Sequence, residues 1–409
     1  MEFLQVDTLE RAREKLFASA ENRMATEERL PLNQSLGRIA AEDILAGADI
    51  PGFRRSTVDG YAVHAVDTAA AGEGIPVFLT ASGRVEMGQA VDFTIKSGEC
   101  AEIATGGMLP AGADAVMMIE YAESFGPDGI ALHTSVAHGE NVVQIGEDAK
   151  ANTLILRRGK RILPQDVGVL AAAGIVHVPV CRRPKLTIVS TGDELILPEQ
   201  SPLPGQIRDV NTGALGALAR KTGFEVVGAV LVKDDPQLLE QAIRAAMMKS
   251  DIVAVSGGSS QGQKDMTRAV FDRAASPGVY THGLAVKPGK PTILGYDSPS
   301  QTLLVGLPGH PVAAMMMFEL LLGWLLRKLT GSSLPPAIPA RLSCPVVSSP
   351  GKLNCWPAQL TWTEAGYLAE PIFGKSGLIT TLTKAEGYFT VDRDTEGLVA
   401  GQTVLVHLF

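Results

Sequence analysis

Three carboxylates stand just beyond apolar runs, where oxygen ligands for a hard cation would be needed. Glu194 follows the run 185–190, Asp234 follows 226–232, and Asp265 follows 252–255 and a Gly/Ser loop over 256–262. Acids gathered on one edge repel unless a cation bridges them, and such oxygen ligands suit Mg2+. The competing use of any one of them is to cap a following helix. The loop 256–262 has backbone N–H groups that could cradle an anion, though it could equally be a tight turn. It is neither a Walker A loop nor a GxGxxG fingerprint. Lys287-Pro-Gly-Lys290 sets two cations on a backbone stiffened by Pro288 and Pro291. That is phosphate-binding chemistry, or else two solvated lysines. The turn 306–311 lies between a strand and a helix with Pro311 in its first turn, again anion-site geometry, while His310 alone reads as structural or solvent-facing. Asp59 sits in an Asp-Gly turn, an ordinary place for an acid.

These residues need rigid elements to hold them. Short β-branched runs alternate with helical stretches at 213–222 and 237–249, which implies parallel βαβ units and a doubly wound sheet. In such sheets ligands collect at the carboxyl ends of the strands. Upstream, residues 7–20 read as a helix with Asp7 and Glu10 at capping-box spacing, and 35–42 as a further helical piece. Glycine-punctuated short strands fill 56–134, and a helix starts at Pro164. The run 312–326, interrupted by Glu319, is too short for a span and reads as a buried helix. The expected fold class is α/β: a central doubly wound domain, additional β-rich domains and an elongated N-terminal α+β region. The expected domains are 1–50 with 141–180, 51–140, 181–330, and a C-terminal β-barrel over 331–409.

At 409 residues the chain is long enough for two to four domains. Its net charge of −8 argues against nucleic-acid binding. The four scattered cysteines form no CxxC pair and suit a reducing compartment. Acidic residues interrupt any apolar core near the N-terminus, so no signal peptide is expected. A cytoplasmic protein that does not engage a membrane is expected.

Eight motifs, in order, resemble the molybdopterin molybdenumtransferase family, which includes the gephyrin E domain. They are residues 51–63, 103–110, 146–148, 190–195, 233–236, Ser256-Gly-Gly258 with Asp265, 287–291 and 306–311. The resemblance implies insertion of molybdate into adenylylated molybdopterin with release of AMP, by a homodimer using Mg2+. It implies catalytic roles for Asp59, Asp148, Glu194, Asp234 and Asp265, the last three also as metal ligands. It implies substrate contacts from Thr105, Ser190, Gly192, Asn211, Ser256, Gly257, Gly258, Lys287, Lys290, Pro308 and Gly309. Molybdopterin adenylyltransferase and acceptor molybdoenzymes are implied as partners, and Asp59, Thr105 and Asp148 would face the central domain of the second copy. Several positions depart from the family pattern: Arg54 replaces an acid, 142–145 is neutral, Gly283 stands where a basic residue is common, and His310 where asparagine is. These departures bear on oxyanion affinity and choice. The alternatives are a non-catalytic carrier or scaffold for the cofactor, and another enzyme sharing the central domain, such as a nucleotide pyrophosphatase.

Overall fold

The β-branched runs between residues 185 and 307 pair into one six-stranded sheet. Its order is Glu225–Val232, Lys185–Thr191, Ile252–Gly257, Thr302–Leu307, Ile293–Asp297, Pro277–His282. The first four strands are parallel, and Ile293–Asp297 runs antiparallel between Thr302–Leu307 and the edge strand Pro277–His282. This is a computed structural model, and it describes residues 6–24, 26–257, 263–334 and 336–409. Gly258 and the side chain of Asp265 lie outside the described residues.

Side chains alternate across the sheet, as a two-residue strand period requires. Leu186, Ile188, Ile252, Ala254, Leu303 and Val305 pack into one layer with Leu215 and Ala219 of the helix Asn211–Thr222. Val189, Val253, Val255 and Leu304 pack into the other with Leu239 and Ile243 of the helix Pro236–Met247 and Phe271 of Gln263–Ala274. Each fully buried Leu, Ile or Phe side chain contributes about 1.5–3 kcal/mol. The helix Asn211–Thr222 returns the chain to one side of Lys185–Thr191, whereas Pro236–Met247 delivers it to the other. The strand order therefore reverses where Thr191 and Gly257 are register partners, and a crevice opens at such a point.

The buried helix over the apolar run is present as Pro311–Phe318 and Trp324–Thr330, joined by one π-helical turn, Glu319–Gly323. Glu319 bonds Arg327 at 2.7 Å, and its carboxylate fills the space that a side chain at Gly323 would need. No described helix is long and apolar enough to cross a membrane.

Three local expectations are corrected. The first helix is Leu9–Met24, and Leu9, Leu16 and Met24 are buried in the central core, not with residues 141–180. Its cap is the Thr8 hydroxyl, 3.3 Å from the Arg11 amide, while the Asp7 carboxylate turns away to Lys15 and Thr281. Residues 35–42 are not helical: Gly37 adopts φ +74°, and Ile39 and Ala40 form β-bridges to Arg161 and Val180.

Elsewhere, Glu27–Pro31 pairs with His177–Cys181, and Ile44–Leu45 with Leu154–Leu156, around a small core of Ala40, Ile162, Leu170 and Val178. A second six-stranded sheet spans 60–132. In the C-terminal part, Ala337–Leu342, Gly366–Pro371, Leu353–Thr363, Gly387–Val391 and Thr403–Leu408 pair in a ring, so the sheet closes into a barrel without free edges. Val286–Lys287, from the central part of the chain, pairs in parallel with Leu353–Asn354 of that barrel.

Candidate active site

At the point where the strand order reverses, the backbones approach too closely for side chains. Gly257 has φ +142°, and a Cβ there would lie 2.0 Å from the Thr191 carbonyl oxygen. The Thr191 hydroxyl donates to Asp234 Oδ1 at 2.8 Å, and the Asp234 amide donates to Asp193 Oδ1 at 3.3 Å. The helix-capping role falls to Asp235, which accepts from the Gln237 and Leu238 amides. Asp234 is thereby left at the strand end rather than at the cap. Glu194 is exposed, its carboxylate folded over Gly192. Asp265 falls in the first turn of Gln263–Ala274. Among the described residues, no three His, Cys, Asp or Glu side chains form a metal-holding cluster.

Several of the expected substrate residues also make bonds within the fold. The Ser190 hydroxyl is fully buried and bonds Thr212 at 2.8 Å. Asp209 caps the helix at Asn211, accepting from the Asn211 and Thr212 amides. The Asn211 side-chain amide donates to Ser256 Oγ at 2.8 Å and to the Gly309 carbonyl at 2.7 Å. It thus latches two loops, while its Oδ1 is buried without a partner among the described residues. Pro308 lines the lysine-bearing cavity next to these loops.

That cavity, about 440 Å3, lies between the turn 287–291 and the barrel. Lys287 and Lys290 come from the turn, and Lys352 and Lys375 from barrel loops. The two barrel lysines were not found in the sequence; no local motif marks them, and only closure of the barrel brings them there. None of the four ammonium groups pairs with a carboxylate among the described residues, and Lys287 donates only to Ser349 Oγ at 2.9 Å. His310 bonds Ser376 Oγ at 2.8 Å, and the Ser376 carbonyl accepts the Val312 amide, so the barrel caps the helix that follows. His310 also lines the cavity.

Asp59 and Thr105 are brought together. Asp59 Oδ1 accepts the Thr105 amide at 2.6 Å and the Thr105 hydroxyl at 2.8 Å. Those bonds, the backbone one first, hold the exposed carboxyl below the usual aspartate range. Asp148 is exposed, and its amide is tied to the Ile50 carbonyl. These three residues make their bonds within the N-terminal half, and neither core cluster of the β-rich part includes residues from 181–330. Arg54, one of the departures, donates to the Ala113 carbonyl at 3.0 Å and serves the β-rich part structurally. Near Gly283, Arg268 comes within 3.4 Å of His282.

Residues 7–174 match the MoeA N-terminal region (domain I and II), 187–328 a probable molybdopterin binding domain, and 339–409 the MoeA C-terminal region (domain IV). Over 408 residues the chain is 31% identical to a molybdopterin molybdenumtransferase of Haemophilus influenzae, covering 98% of both. The chain belongs to the molybdopterin molybdenumtransferase family. Its membership makes it a transferase of molybdenum cofactor biosynthesis. A Bacillus subtilis member is 31% identical over 391 residues, covering 93% of this chain and 89% of that one. Two solved molybdopterin biosynthesis MoeA proteins of Pyrococcus horikoshii share the fold, with TM-scores of 0.83 and 0.81. They are 36% and 30% identical, cover 99% of this chain, and are themselves covered to 99% and 100%.

Proposed function

We propose that this family member inserts molybdate into adenylylated molybdopterin, releasing AMP and leaving the finished molybdenum cofactor. The observation that carries the reading is the convergence on one cavity of four lysines that have no carboxylate partner among the described residues. Molybdate and the substrate's phosphates are anions, and in an acidic protein such a pocket has to be built deliberately. Catalysis on this reading is positioning and electrostatics. The lysines offset anionic charge while molybdate engages the dithiolene sulfurs. Asn211, Ser256, Gly257, Pro308 and Gly309 would shape the neighbouring wall, with Ser190 and Gly192 beneath the acidic edge.

On this reading Glu194 and Asp234 offer oxygen donors of the kind Mg2+ takes, since it commonly uses one or two carboxylates and completes its shell with substrate phosphates and water. Glu194, Asp234 and Asp265 would hold Mg2+ against the adenylate phosphates, where it supplies charge neutralisation for the departing AMP. Asp59, Thr105 and Asp148 lie in the N-terminal half and bond within it, which supports a homodimer whose sites are completed by a second copy, acting in the cytoplasm on this reading. Molybdopterin adenylyltransferase and acceptor molybdoenzymes would stand before and after it.

The deciding experiment supplies purified protein with adenylylated molybdopterin, Mg2+ and molybdate or tungstate, and follows AMP and active cofactor. Substrate bound and returned unchanged would favour the carrier reading, and full-rate AMP release in EDTA would remove the metal assignment. For the shared site, Asp59→Ala and Glu194→Ala chains should each be nearly inactive, yet regain one good site when mixed. Mixed single variants that stay inactive, beside a double-variant/wild-type pair with half activity, would place the site within one chain.

A further inference from the structure

The turn that carries Lys287 and Lys290 is not self-supporting. Within it, the Leu284 amide donates to the Lys290 carbonyl and the Gly283 amide to the Thr292 carbonyl, both at 2.9 Å. On one side the Leu353 amide of the barrel donates to Ala285 at 2.8 Å. Another support comes from the far end of the chain. The Asp7 amide donates to the Gly283 carbonyl at 3.1 Å, and the Asp7 carbonyl accepts the Ala285 amide at 2.9 Å. Asp7 is itself fixed in place: it is 8% exposed, and its carboxylate accepts from Lys15 and, at 2.7 Å, from the Thr281 hydroxyl. Lys15 also donates to the Tyr280 carbonyl at 3.1 Å. The charge of Asp7 is thus spent on anchoring, in a residue that clamps the base of the lysine turn from both of its backbone groups.

We propose that Asp7 is a positioning residue for the Lys287–Lys290 turn, setting where its two cations stand in the cavity. The proposal rests on the anion-binding reading of that turn. Burial works against an ionised Asp7, but the Lys15 and Thr281 bonds prevail and hold its carboxyl below the usual range. The carboxylate, bonded to Lys15 and Thr281, therefore anchors the residue whose backbone groups hold the segment. Binding and catalysis are sensitive to displacements of an ångström, so loosening this clamp should be felt at the lysines without touching them.

The test uses the full chain carrying Asp7→Asn, read by hydrogen exchange of residues 283–292 and by calorimetric titration with molybdate alone. Exchange in that segment should rise roughly tenfold or more, while the barrel strand Thr403–Leu408 stays as in wild type. Molybdate affinity should fall roughly tenfold. Combined with Lys287→Ala, the loss should be less than the sum of the two single losses, because both act through one group. A purely structural role for Asp7 would give additive losses. Thr281→Val, which removes one donor to Asp7 at nearly constant volume, should repeat the pattern more weakly, and it carries the test if Asp7→Asn does not fold. Unchanged exchange at 283–292 overturns the proposal, as does faster exchange with molybdate affinity retained. Wild-type protein that ignores molybdate would overturn the anion reading instead; the exchange comparison would then still decide whether Asp7 holds the turn.

Discussion

Asn211 offers a prediction in which two opposed terms nearly cancel. Its amide makes two hydrogen bonds, to Ser256 Oγ and to the Gly309 carbonyl. Each contributes about 0.5–1.5 kcal/mol net, so losing both in Asn211→Ala should cost about 1–3 kcal/mol. Its Oδ1, however, is buried without a partner among the described residues, a burden of about 1–3 kcal/mol that truncation removes. The free protein should therefore change stability by no more than about 2 kcal/mol in either direction. Asn211→Asp keeps the shape, discards both donors and turns a charge toward a carbonyl, and should cost about 3 kcal/mol or more. The introduced carboxyl would have a raised folded-state pKa, so its cost should shrink as pH falls. Native-state hydrogen exchange along Asn211–Thr222 reads both changes locally, which suits a chain whose global unfolding need not be two-state. A loss above about 3 kcal/mol for Asn211→Ala would refute the offset, because the two donor bonds would then stand alone.

Other outcomes follow from single contacts. Lys352→Ala and Lys375→Ala should each weaken molybdate binding by about tenfold at low salt and by less at high salt, since exposed charges are screened; titrations at two ionic strengths check this. Gly257→Ala should cost about 2–6 kcal/mol, combining backbone strain at φ +142° with a Cβ driven onto the Thr191 carbonyl, as measured by thermal unfolding. Asp114 is held below the usual aspartate range: burial opposes its charge, but the Ala65 amide at 2.7 Å and His138 at 3.1 Å prevail. A lowered folded-state pKa gives stability that is complete above the unfolded value of about 3.9 and is lost as pH falls through the folded one. Asp114→Asn should flatten that acid arm, read as melting temperature between about pH 5 and pH 3.

Much of the central architecture is legible because each run has a single plausible partner layer. The continuous apolar run 252–255 could only be a strand covered on both faces, and Asp235-Pro236 marks the start of the next helix by cap and proline together. The acids at strand ends follow from that topology, as does the glycine at 257. Lys352 and Lys375 stayed hidden because loops join a site only through barrel closure, which no local pattern encodes. Leu9 and Leu16 revealed a helix with an apolar face but not which core would take it. Residues 35–42 misled because their helical composition is overruled by two β-bridges and a left-handed Gly37.

The strand addition at Val286–Lys287 bears on how the protein comes into being. The lysine turn is framed by residue 7 near one end of the chain and by residues 353–354 toward the other. During synthesis the central sheet can begin to pair once Leu307 has emerged, but the turn's second flank does not yet exist. Pairings between such distant parts of a chain are late events, because loop closure must be met first. A nascent or prematurely terminated chain ending before the barrel would hold the carboxylate edge without the ordered cation turn. If the proposed roles hold, it would carry ligands for a cation but no finished cradle for the anion, and would leave substrate untouched until the last domain has closed.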